Sequence, residues 1–403
     1  MANLYQASHQ WSTRPDDERF ESVEEMLMFS KSYRDTAEVL TTGWGDLTLD
    51  VQDDDLYLDC PEMENPAKFT HYAYGQLCTS LSVPAEFTRT LPATLTKQVL
   101  EHRFSVTDFE SRKHDAKLLI HQNGSRVLRA LTSEVYDRIW NADLIEKCVL
   151  PLINRDGWRV PPARPARPGQ KGTRKATEKD IIPNQEDFGL SIKVGDNIAP
   201  AGLYASDHDM FAFIVHTDRL VRAGDRALMR GTFFRNSEVG DGSLEAVFFL
   251  VDNVCGNHIC WGVENVHTIR VNHRAGKDEQ NRGKTLYRFL QKWDISLEKY
   301  SNASVASQEE LIEKAMNFEI AATKDEVIES LYRYAKSHSL VALGKARLEN
   351  AYRTAELHEG WYGNPRSLWG MVSGLTEDSQ KNTYADIRND IDLQASALLK
   401  MVA

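Results

Sequence analysis

Residues 229–274, MRGTFFRNSEVGDGSLEAVFFLVDNVCGNHICWGVENVHTIRVNHR, constrain this chain more than any other stretch. Residues 243–254 are apolar or alternating, with Phe, Val and Leu dominant, which suits a largely buried strand. Gly256-Asn257 then interrupts, and residues 259–263 resume the pattern. Gly-Asn between two β-runs is a two-residue hairpin signal, because Gly accepts a positive φ at the first central position. Such a turn sets Cys255 opposite His258. One face then carries Leu250, Val254, Ile259, Trp261 and Val263, and the other carries Asn253, Cys255, His258 and Cys260. A chain with this segment is expected to build an antiparallel sheet around it.

The second face invites a zinc reading, with Cys255, His258 and Cys260 as ligands and His267 or His273 completing a tetrahedron. The spacing matches no standard zinc pattern, and no C-x2-C pair occurs anywhere in the chain. A hairpin with small buried cysteines is the favoured account, so no metal or cofactor is assigned.

The 403 residues suffice for one large or two ordinary domains. No apolar run approaches the length of a membrane span, and residues 1–18 lack the apolar segment of a signal peptide. Five cysteines without a framework suit a reducing cytoplasm. The formal charge of −11 argues against a uniformly basic surface, but local patches matter more than the sum.

Local signals place further elements along the chain. Ser22-Val23-Glu24-Glu25 is a capping box opening a helix to about residue 30. Residues 47–50 and 56–59 flank an acidic hairpin tip with Asp53, Asp54 and Asp55, which lacks the Gly and closing Glu of a calcium loop. Helices are expected over 69–81, from Pro84, and over 93–103. Asn123-Gly124 joins strands 117–121 and 125–131, and a helix runs through 143–152. Strands follow at 190–194, 199–204 and 211–216. Asp207-His208-Asp209 lies between the last two, where a polar turn is favoured over acid–base or metal chemistry. The C-terminal part reads as helices near 286–299, 307–320, 323–338, 341–357, 367–375 and 384–402, with capping boxes at Ser307 and Thr323.

Two locally basic stretches stand out in this acidic chain. Residues 159–180 are punctuated by Pro and Gly and carry Arg164, Arg167, Arg174 and Lys175, which suits an extended linker whose cations neutralise phosphates. Arg270, His273, Arg274, Lys277, Arg282, Lys284 and Arg288 form the second. Phe233-Phe234-Arg235 interleaves aromatics with a cation, as base-stacking surfaces do. Alternation puts one Phe on each face of a strand, so at least one of them belongs to the core. Gly283-Lys284-Thr285 superficially matches a P-loop, but Asp278 stands where that loop needs glycine, and ATP binding is rejected.

Three groups of residues resemble the phage and plasmid family called domain of unknown function 932. The first comprises Asn236-Ser237, Gly242-Ser243, Val254-Cys255-Gly256-Asn257 and the run from Arg270 to Gly276. The second is Arg129-Ala130-Leu131-Thr132-Ser133, then Tyr136, then Asn141-Ala142-Asp143-Leu144. The third is Trp369-Gly370 followed by Leu375-Thr376-Glu377. Gly256 replaces the family's usual Ser, Ser373-Gly374 replaces an Asn-Ala-like pair, and no His stands near Ser379-Gln380-Lys381. The resemblance implies a mobile-element protein acting in a host cytoplasm; it carries no activity with it.

The expected fold is α+β, a central mainly antiparallel sheet with a helical C-terminal part. Its expected organisation is a mixed N-terminal part over 1–158, the basic segment over 159–182, a β-rich part over 183–300 and helices over 301–403. The expected function is nucleic-acid binding, with single-stranded DNA foremost, in annealing or recombination, and with self-association into homo-oligomers. Its site residues are Arg164, Arg167, Arg174, Lys175, Phe234, Arg235, Arg270, Arg274 and Lys277. A host protein as partner and a metal-dependent enzyme are the alternatives; no catalytic residue is assigned.

Overall fold

The computed structural model describes residues 18–161, 164–166, 173–181, 191–199, 202–224, 226–252, 258–260, 268–274, 284–382 and 385–403. The fold is α+β, with mixed, mostly antiparallel sheets and a helical C-terminal region.

Helix α1 (Val23–Asp35) starts at Ser22, whose side chain accepts from the Glu25 amide. Strands β1 (Ala37–Thr42), β2 (Thr48–Gln52), β3 (Asp55–Asp59) and β4 (Ala67–Phe69) follow. Asp53 and Asp54 take positive φ values of 49° and 63° in the β2–β3 turn, the conformation of a two-residue hairpin loop. Helices α2 (His71–Ser80), α3 (Ala85–Thr88) and α4 (Ala93–Val106) precede β5 (Ala116–Asn123) and β6 (Ser125–Ser133). Gly124 supplies the left-handed residue of the β5–β6 hairpin, with φ 74°. These strands form a sheet in the order β1-β5-β6-β4-β3-β2, antiparallel except for β4 beside β6. Its core, with Leu58, Leu77, Leu100, Leu118 and Leu128, lies beneath α2 and α4.

Helix α5 (Asn141–Leu144) runs through a π turn over Ile145–Val149 into α6 (Leu150–Ile153). Pro151 has no amide to donate and crowds the preceding turn, which the wider turn relieves. Strands β7 (Trp158–Arg159), β8 (Arg164–Pro165), β9 (Arg174–Lys175) and β10 (Asn197–Ala199) come next. β8 and β9 flank β10, and β7 pairs with the central sheet. Within the stretch expected to be a basic linker or loop, Arg159, Arg164-Pro165 and Arg174-Lys175 pair in short strands and Glu178–Asp180 form a 3-10 turn. Residues 191–194 are not a strand, although Ile192 is buried against the central sheet.

The central sheet is β11 (Leu203–Ala205), β12 (Met210–Ala223), β13 (Arg226–Asn236), β14 (Leu244–Asp252) and β15 (His258–Cys260), with β16 (Thr268–Val271) also on β14. Val251 stands opposite His258, and Leu250 opposite Ile259. The register therefore differs from the expected pairing of Cys255 with His258; residues 253–257 lie outside the described set. Both faces of this sheet are covered. Met210, Ala212, Phe234 and Phe248 pack under α1, α5 and α7 (Thr285–Asn302). Phe211, Phe213, Phe233 and Phe249 face Ala176, Ile192 and Ile198. Helices α8 (Val305–Asn317), α9 (Lys324–Ser337), α10 (Lys345–Leu357), α11 (Glu359–Tyr362), α12 (Leu368–Ser379) and α13 (Ala385–Ala397) enclose a separate core that borrows Val221, Leu228 and Leu250 from the sheet. Thr323 makes the expected capping box with Glu326. Ser304, rather than Ser307, caps α8. Among the described residues no helix is long and apolar enough to cross a membrane.

Candidate functional site

The residues richest in chemistry meet where the β6 end of the N-terminal sheet abuts β13 and β16. Arg129 on β6 is only 2% exposed and its guanidinium reaches Glu238 Oε2 at 3.0 Å. It also donates to the Asp207 carbonyl and lies 4.7 Å from the Tyr33 ring centre. Glu238 Oε1 accepts from the Asn141 amide at 2.7 Å, and its carbonyl accepts from Arg138 Nε at 2.8 Å. Asn236 donates to Ile139 O and Asn141 Oδ1, and the Tyr136 hydroxyl donates to Ser237 O. A buried charge survives only when paired and hydrogen-bonded, and Glu238 meets that condition. Burial pushes the Arg138 guanidinium down to about 10 and raises the Tyr136 phenol.

Ser206 orders the neighbouring turn. Its oxygen accepts from the His208 and Asp209 amides and donates to Asp209 Oδ1. His208 is buried edge-on against Tyr72, with Nε2 3.5 Å from Asp241 Oδ2. Burial raises the Asp241 carboxyl, with His208 opposing that shift. The turn is polar as expected, yet it is buried because Ser237 and Arg129 close over its carbonyls. Among the described residues no three His, Cys, Asp or Glu side chains gather as a metal site. Cys255 and His267 lie outside the described residues, as do the side chains of His258 and Cys260.

The seam continues to the surface through Tyr136. Its ring stacks on His273 at 5.1 Å, and His273 Nδ1 lies 3.2 Å from the Asp137 carbonyl. Burial lowers His273 to about 4. Asp137 Oδ2 accepts from both the amide and the hydroxyl of Thr285, capping α7 from outside the helix. Beyond that cap the surface is cationic. Arg274 bridges to Tyr136 through backbone, and Arg288 donates to the Arg274 carbonyl. Arg270, Arg274, Lys284 and Arg288 are all exposed. Arg270 is held by Glu245 at 3.1 Å and by Ser243 at 2.6 Å.

The expected site residues separate accordingly. Arg270 and Arg274 share this rim; Lys277 and Arg167 lie outside the described residues, as does the side chain of Arg164. Lys175 is exposed, but Arg174 is bound by Asp180 through two hydrogen bonds of 2.7 Å and by Glu21 at 2.5 Å. Phe234 is 0% exposed and packs on Trp293, so it is core and no stacking surface. The reason is that the sheet is covered on both faces, which buries Phe233 and Phe234 alike. Arg235 is half-buried, 5.7 Å from the Phe211 ring centre. Sequence reasoning named Arg129 without a role and did not single out Glu238 or Tyr287. The spacing Lys284, Arg288, Lys292 beside Tyr287 was the available signal for the last.

Two of the three residue groups singled out in the sequence converge in this seam: Arg129, Tyr136 and Asn141 meet Asn236, Ser237 and His273. The third lies in the C-terminal helical core, where a Cβ on Gly374 would come 2.2 Å from the Ala351 carbonyl oxygen, so close helix packing accounts for that glycine. No family model, curated protein or solved structure matches the chain.

Proposed function

We propose that this protein binds nucleic acid through the cationic rim of Arg270, Arg274, Lys284 and Arg288. The observation that carries the reading is the grouping of these four exposed cations at the junction of β16 and α7, in a chain of net charge −11. Exposed guanidinium and ammonium groups gain affinity from phosphates by releasing condensed counterions, with no base read. The role we infer beside DNA is annealing or recombination. Arg174 and Arg270 contribute less than Arg274, Lys284 and Arg288, because each is already paired within the fold, Arg174 with Asp180 and Glu21 and Arg270 with Glu245.

Titration of labelled single- and double-stranded DNA over a salt series from about 50 to 200 mM tests the reading. The affinity should fall steeply with salt. Replacing Arg274 and Arg288 by Ala should weaken binding and flatten the logarithmic salt slope by about 1 for each cation lost. Absence of binding at low salt, or binding indifferent to salt, overturns it.

A further inference from the structure

We propose that the outward face of α7 is a single-strand platform, with Tyr287 stacking a base while the flanking cations hold the phosphates on either side. This rests on the nucleic-acid reading and specifies its ligand and its contact residue.

The face is set by what the helix buries. Phe289, Trp293, Leu297 and Tyr300 recur at three- and four-residue intervals and face the sheet. Tyr300 locks the far end, accepting from the Gly231 amide at 3.2 Å and donating to Phe249 O at 2.9 Å. The opposite face carries two parallel rows. Lys284, Arg288 and Lys292 stand one turn apart, and Tyr287, Gln291 and Ile295 form the adjacent row. All six are exposed, Tyr287 by 58% and Ile295 by 57%. Gln291 donates to the Tyr287 hydroxyl at 2.9 Å, which fixes the ring against the helix. Arg274 lies beside Arg288 and widens the cationic row.

Three features point to a bound polyanion with bases. Among the described residues, Arg274, Lys284, Arg288 and Lys292 have no acidic partner, in contrast to Arg129, Arg174 and Arg270. Like charges four residues apart repel each other along a helix, and cations in a first turn oppose the helix dipole. The first turn of α7 holds no acid, and the first acidic residue of the helix is Asp294. The Asp137 carboxylate already meets the dipole at the first turn, and an anion lying along the row relieves the repulsion between the cations. A half-exposed Tyr between cations adds a flat π-face that any base can use, and duplex DNA keeps its bases stacked away from such a face. An acidic protein segment would satisfy the charges but leave Tyr287 without a partner.

The test uses the full chain with four probes: a labelled deoxythymidine oligonucleotide, a duplex of equal length, heparin and poly-glutamate. Binding of each is measured for the wild type, Tyr287→Ala and Tyr287→Phe. The platform predicts that Tyr287→Ala weakens single-strand binding roughly five- to hundredfold, since one stacked base is worth that much. Tyr287→Phe should keep most of it, and duplex and heparin binding should hardly change. Melting curves that coincide for the three proteins confirm that folding is untouched. Salt-sensitive DNA binding that Tyr287→Ala leaves unchanged, or weakens equally for strand and duplex, overturns the platform and leaves the nucleic-acid reading standing. No binding to either DNA overturns both. Poly-glutamate bound as tightly as the single strand identifies an acidic protein partner and overturns both as well.

Discussion

Arg129 and Arg288 carry the same guanidinium a short way apart in one protein, and their surroundings give them opposite roles. Arg129 is sealed between two sheets, with Glu238 for its charge and the Asp207 carbonyl accepting from Nε and Nη2. Its ionic partner is itself only 1% exposed. Arg288 stands exposed on α7, and among the described residues it donates to the Thr285 hydroxyl and the Arg274 carbonyl. A buried pair is bound by the cost of separating it, whereas an exposed cation keeps its charge available for a ligand. The seam joins the N-terminal and central sheets, and the rim beside it offers a surface. The local density of charged residues is therefore a poor guide to function until burial is known.

The largest expected effect tests the seam. Glu238→Ala leaves Arg129 buried without its carboxylate and should cost about 3–5 kcal/mol in urea unfolding. A loss below about 1 kcal/mol would mean that water reaches Arg129 and that the contrast with the rim is false. Replacing both partners, Arg129→Met with Glu238→Leu, should cost less than the single change, because no orphaned charge remains.

His273 offers the next test. Burial holds its imidazole at about 4, below the ordinary value of about 6.5. Between those values the unfolded chain binds the proton and the folded one does not. Stability contributed by this group is therefore complete above about pH 6.5 and is lost as pH falls toward 4, by at most about 3 kcal/mol. Proton NMR titration of the histidine rings checks this directly. A His273 resonance titrating near the ordinary value would place it with the rim rather than the seam.

The smallest effect has the opposite sign. Lys284→Glu puts an acid at the start of α7, where the helix dipole favours it, and opposite Arg288 four residues on. Thermal melts should show a gain of about 0.3–1 kcal/mol. The same change should weaken DNA binding. A stabilised protein that binds DNA unchanged would remove Lys284 from the interface.

Much of the fold was legible because it depends on neighbours in sequence. The Ser22 and Thr323 caps, the Asn123-Gly124 turn and the Asp53-Asp54 tip are decided within four residues, by side-chain hydrogen bonds and by tolerance of positive φ. The β14–β15 register was misread at Gly256-Asn257, since register answers to the partner strand as well as to turn chemistry. Ser307 was misread as a cap because Ser304, one turn earlier, offers the same hydroxyl to the Ser307 amide.

The sequence by itself determined the element types, the antiparallel centre, the helical C-terminal region and the places where cations cluster, because period, turn chemistry and charge are local properties. Tertiary structure alone decided which of those groups are sealed and which are open. Phe234 and Tyr287 are both aromatics beside an arginine in sequence. One lies in a doubly covered sheet and the other on the outer face of a helix. Arg129 finds Glu238 across 109 residues, and His273 finds Tyr136 across a similar distance. Such pairings are set by how the sheets pack, and no short-range pattern encodes them.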